Sequence, residues 1–115
     1  MRKVALFAFS GDPTCFIHVL LNALDLKKKN YEAQIIIEGE ATKLVPDLTK
    51  KNDFLAETFT EAREQGLIAG VCRACSMKMK TLEDAETQHL PLLSSMSGHP
   101  SMGEFLDDGY GIITF

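Results

Sequence analysis

The chain predicts an α/β domain of three layers, with a mostly parallel, five-stranded sheet between helices. Three observations carry this. Short apolar runs without alternation, Val4-Ala5-Leu6-Phe7-Ala8-Phe9 and Ile35-Ile36-Ile37, have the pattern of strands covered on both faces, as in a parallel sheet. Segments of helical spacing separate them, in the order of a right-handed βαβ unit. The length, 115 residues, suits one domain, 1–115, with a single sizeable core.

Taken in order, Lys3 to Phe9 is the first strand, expected at the centre of the sheet. Ser10-Gly11-Asp12-Pro13-Thr14 is turn chemistry, and Asp12 or Thr14 can cap the helix that follows. That helix, about Thr14 to Lys28, carries Phe16, Ile17, Val19, Leu20, Leu21, Ala23, Leu24 and Leu26 on an arc of roughly 220°, wider than one sheet face needs. Either another subunit or a neighbouring helix must cover the excess. Tyr31 to Glu38 is the second strand, rich in β-branched residues. Ala41 to Asn52, with Pro46 inside it, reads as a loop or short helical turn, a lid or a plain connector.

Asn52 or Asp53 can cap a second helix that runs to Gln65 and stops at Gly66. Leu67 to Val71 is the third strand. Thr81-Leu82-Glu83-Asp84 resembles a capping box, as does Ser101-Met102-Gly103-Glu104. His89 to Ser95 is a fourth strand, at an edge because of Pro91. Ser94 to Pro100 is a polar loop, and Tyr110 to Phe115 supplies the last strand inside the fold.

Composition removes several functions. Apolar residues make up 45% and charged residues 24%, so disorder is not expected. The net charge is −4 and no basic stripe is interleaved with aromatics, which argues against nucleic acid. The first apolar run ends too soon for a secretory leader, and no run approaches the ~18 residues of a membrane span. A cytoplasmic protein is expected. Three cysteines there make no disulfide framework and point to redox, sulfur or metal chemistry. Dinucleotide and P-loop patterns are absent, so no organic cofactor is expected.

The chemistry centres on Cys72 and Cys75, a Cys-x-x-Cys pair where the third strand meets a helix. Residues three apart share a helix face, so the thiols can meet. The helix dipole, with Arg73 and Lys78, is expected to lower the pKa of Cys72, while Cys75 lies one turn inside and better shielded. Cys72 would then be the catalytic nucleophile and Cys75 the resolving thiol, with Cys15 a third partner. Alternatively both thiols bind zinc or another thiolate-bound metal, completed by His99, His89 or Cys15. They can also pack as small apolar groups in a subunit that has no chemistry. Neither His18 nor His89 commands a role, and Glu38, Glu40, Asp107 and Asp108 read as surface charge.

The opening Val4-Ala5-Leu6-Phe7-Ala8-Phe9-Ser10-Gly11-Asp12, the strand Gly70-Val71-Cys72 running into a helix, and the terminal Gly109-Tyr110-Gly111-Ile112-Ile113-Thr114-Phe115 resemble the DsrE/DsrF-like family of small cytoplasmic sulfur-metabolism proteins. The resemblance implies a parallel sheet of order 4-3-2-1-5 and a homo-oligomer, trimer or hexamer. It also implies sulfur-relay protein partners and a persulfide-carrying cysteine just after the third strand. Cys72 stands at that position, and Cys75 is an addition to the relay pattern.

Overall fold

A computed structural model describes residues 2–115. Its elements are β1 (Lys3–Ala8), α1 (Pro13–Lys28), β2 (Glu32–Ile37), a 3₁₀ helix (Gly39–Thr49), α2 (Phe54–Glu64), β3 (Ile68–Cys72), α3 (Arg73–Lys78), α4 (Leu82–Thr87), β4 (Leu92–Leu93), α5 (Met102–Asp107) and β5 (Tyr110–Thr114). The strands form one sheet of order β4-β3-β2-β1-β5, and every neighbouring pair is parallel. The middle strand is therefore β2, and β1 lies next to it rather than at the centre.

The lack of alternation in β1 and β2 follows from burial on both faces. Leu6, Ala8, Ile35 and Ile37 join the large core under α1 and α2, while Ala5, Phe7 and Ile36 point the other way. On that second face Phe105 of α5 meets Phe7 and Tyr110 edge to face, with ring centroids 5.6 and 5.4 Å apart. The wide apolar arc of α1 is mostly absorbed within the chain. Phe16, Val19, Leu20, Ala23 and Leu24 are buried, Ile17 and Leu26 pack partly on the core, and α2 lies alongside; Leu21 is left exposed.

The starts of α1, α2 and α5 are capped by oxygen-bearing side chains. Asp12 accepts from Thr14 N at 2.8 Å, Asp53 from Ala56 N at 3.0 Å and Ser101 from Glu104 N at 3.2 Å. Thr81 corrects the expectation of a capping box: its side chain makes no cap bond, and its hydroxyl is buried without a protein partner. The stretch expected to be a loop or short turn is an eleven-residue 3₁₀ helix. It turns every three residues, so Ala41, Thr42, Leu44, Val45 and Leu48 all reach the interior, which makes it a packed wall and not a lid. The fourth strand shortens to Leu92–Leu93, at an edge, with Pro91 just ahead of it. No helix among the described residues is long and apolar enough to cross a membrane.

Candidate metal-binding site

In a parallel sheet the carboxyl ends of neighbouring strands lie side by side, and β2 and β3 pair Ile37 with Val71. The next residue on each strand is therefore brought to one edge, and these are Glu38 and Cys72. Cys72 closes β3 and caps α3, its Sγ accepting from Cys75 N at 3.3 Å. The Ser76 hydroxyl donates to the Cys72 carbonyl at 2.8 Å and fixes the same turn from below. Cys75 thus returns to the same side as Cys72, as the three-residue spacing predicts.

The third contributor is His99, set by a tight hairpin. Met96 and His99 exchange both backbone bonds, at 2.8 and 2.9 Å, around Ser97 (φ 50°) and Gly98 (φ 91°). Two consecutive positive φ angles are the signature of a type I′ turn, which a Ser-Gly pair accommodates. Gly98 then accepts from Ala74 N at 2.9 Å, so the hairpin is tied to the first turn of α3. A polar loop in the sequence becomes a positioned arm.

His99 Nδ1 lies 3.1 Å from Cys72 Sγ, 3.7 Å from Cys75 Sγ and 4.0 Å from Glu38 Oε1. One donor atom from each of the four residues falls within 4.8 Å of all the others. Cys72 and Glu38 are buried, and Cys75 and His99 are half-buried. Sulfur and nitrogen ligands of a tetrahedral zinc ion are about 3.5 Å apart, given bonds of about 2.3 and 2.0 Å, and the observed pairs bracket that value.

Electrostatics corrects the expected order of the thiols. Burial, then the hydrogen bond with Cys75 and the nearby Glu38 carboxyl, pushes the Cys72 thiol up to about 12, against the dipole of a helix only six residues long. Glu38 is raised as well, because burial outweighs the bond from Cys72 and the attraction of His99. Cys72 is fully enclosed, so Cys75 is the more accessible thiol, the reverse of the shielding expected from position alone.

Glu38 is the residue that the sequence reading misses. Glu40, Asp107 and Asp108 are exposed as expected, but Glu38 is only 7% accessible. Its signal was its place directly after Ile35-Ile36-Ile37, a run buried on both faces. The donor group does not include Cys15, which is exposed in the first turn of α1, nor His18 or His89, both exposed. Beside the group opens a mainly apolar cleft of about 480 Å³, lined by Phe9, Glu38, Met96, His99, Pro100, Met102 and Gly103.

Over 96% of its length the chain is 36% identical to the uncharacterized protein MJ0733 of Methanocaldococcus jannaschii, of which the match covers 93%. A 41-residue stretch, 36% of the chain, is 44% identical to an uncharacterized protein of Archaeoglobus fulgidus and covers 67% of it. No established family pattern and no solved structure matches the chain. The chain belongs to the family of MJ0733.

Proposed function

We propose that this member of the MJ0733 family binds one transition-metal ion, zinc by preference, through Cys72, Cys75, His99 and Glu38. The convergence of the other three side chains on His99 Nδ1 carries the reading. Two thiolates and an imidazole are the donors zinc favours, and a carboxylate completes a tetrahedron. Binding expels the thiol protons to solvent, so a thiol that resists ionisation alone still serves as a ligand once the cation is present. Protein purified without chelator and supplemented with zinc should hold one equivalent, lost in Cys72→Ser and His99→Ala. Metal below a tenth of an equivalent in the wild type would sink the reading.

A second reading is favoured by the accessibility of Cys75 and its approach to His99. Here Cys75, having given its proton to His99, attacks the outer sulfur of a persulfide R–S–SH, forming Cys75–S–SH and releasing R–SH. Cys72 then attacks the inner sulfur, releasing H₂S and closing a Cys72–Cys75 disulfide. The roles are the reverse of those expected from the sequence. One added sulfur on Cys75 in Cys72→Ser, read by mass spectrometry after persulfide treatment, would support it. Its partners would be other sulfur-relay proteins.

The sheet order 4-3-2-1-5 supports the kinship with DsrE/DsrF-like proteins, and with it a single cytoplasmic domain that assembles as a trimer or hexamer. Exposed apolar side chains support assembly too: Leu106 on the six-residue α5, and Ile113 on the opposite face of the edge strand β5. Light scattering giving the mass of one chain would refute it.

A further inference from the structure

The apolar cleft has no part in holding the metal, yet it shares two walls, Glu38 and His99, with the donor group. Its volume, about 480 Å³, falls within the range that holds small organic molecules, about 300–1,000 Å³. Phe9, Met96, Pro100 and Met102 give it an apolar surface, and Met side chains adapt to ligands of varied shape. More than half of Met96 is accessible and about a third of Phe9, so the surface is open to an incoming molecule.

Among the four donors, the Glu38 carboxylate is the hard one. A metal already held by two thiolates takes a further soft donor in preference to it. Such a donor must also cross an apolar cleft, which a neutral group does and a charged head does not. A thiol meets both conditions, since it travels protonated and becomes an anion only at the metal.

We propose that the cleft admits a small aliphatic thiol, whose sulfur replaces the Glu38 carboxylate at the metal while its chain lies on Phe9, Met96 and Met102. The inference rests on the metal reading above. In the exchange the metal–oxygen bond to Glu38 breaks and a metal–sulfur bond forms. The thiol proton passes to the released carboxylate, and no electron changes hands. Glu38 is then a displaceable ligand and the other three residues are the permanent ones.

The test uses the full-length protein loaded with Co²⁺, whose thiolate-to-metal charge-transfer band reports the sulfur ligands. It is titrated with ethanethiol, 1-propanethiol and 1-butanethiol. The band should grow by about half as the sulfur count goes from two to three, and affinity should rise about fourfold per added methylene as each is buried. Met96→Glu should flatten that series, and its own cobalt band shows in the same titration whether metal is held. A cobalt band that does not change with thiol, or changes without regard to chain length, overturns the cleft proposal and leaves the metal reading standing. Failure of wild-type protein to form the band with Co²⁺ overturns both.

Discussion

Cys72 and Cys75 are three positions apart and meet solvent differently, because one ends a buried strand and the other sits on the outer side of a helical turn. In metal-free protein iodoacetamide should therefore label Cys75 first, by at least about tenfold over Cys72, since only the thiolate reacts and Cys72 is both enclosed and pushed up to about 12. Peptide mapping after short exposures would read this, and equal rates would contradict the burial argument. A second titratable residue lies away from the site. Tyr110 on β5 donates its hydroxyl to Glu32 on β2, reaching across β1, and burial, then that bond, raises its phenol from 10.0 to about 12. The folded value lies above the unfolded one, so the contribution to stability is whole below pH 10 and is lost as pH rises from 10 to 12. Phenolate absorbance should place Tyr110 near pH 12, with Glu32→Gln bringing it back toward 10. Ionisation at pH 10 in the wild type would count against the contact.

At the scale of elements, Gly70 sets how closely β4 approaches β3. A Cβ there would stand 2.5 Å from the Pro91 carbonyl oxygen and 3.0 Å from Leu93, at a φ of +153°. Since a backbone atom cannot swing aside, Gly70→Ala should cost about 1–3 kcal/mol. It should also loosen the hairpin that carries His99, seen as a lower urea midpoint and weaker metal binding; an unchanged midpoint would refute it. The βαβ order and both buried faces of β1 and β2 were legible in the sequence, because uninterrupted apolar runs have few other uses in a chain this short. The 3₁₀ helix was not, since Pro46 reads as a break and its three-residue period mimics neither strand nor α-helix. Cys72 and Cys75 announce themselves by spacing, and His99 was singled out as a possible ligand. Glu38 was hidden because its importance depends on the neighbouring strand: only with β2 and β3 side by side does the residue after Ile37 stand next to Cys72. The arm bearing His99 depends in the same way on a docking bond, Ala74 N to Gly98 O, between segments far apart in sequence.

On the whole molecule, a metal at this site would join the end of β2, the junction of β3 with α3, and the hairpin after β4, closing loops from residue 38 to residue 99. The last of these is the least secured by the fold itself. β4 has two residues, and the segment from Ser94 to Ser97 is exposed. Unfolding scatters the four donors, so an ion held by them would bind the native state far better than the unfolded one and would stabilise it by mass action. At a free concentration of about a thousand times Kd the gain is about 4 kcal/mol. For a chain of this size each kcal/mol moves Tm by about 4 °C, so zinc should raise Tm by roughly 15 °C over chelator-treated protein. Cys72→Ser should abolish the shift, and Glu38→Gln should keep part of it, because three donors remain. Affinity of unfolded cysteines for zinc would reduce the rise but not erase it. Hydrogen exchange gives the spatial counterpart: zinc should slow the amides of Met96 and His99, which bond to each other's carbonyls, more than those of β5 on the opposite edge. Identical melting curves with and without zinc, together with unchanged exchange in the hairpin, would show that the four side chains meet without serving a metal.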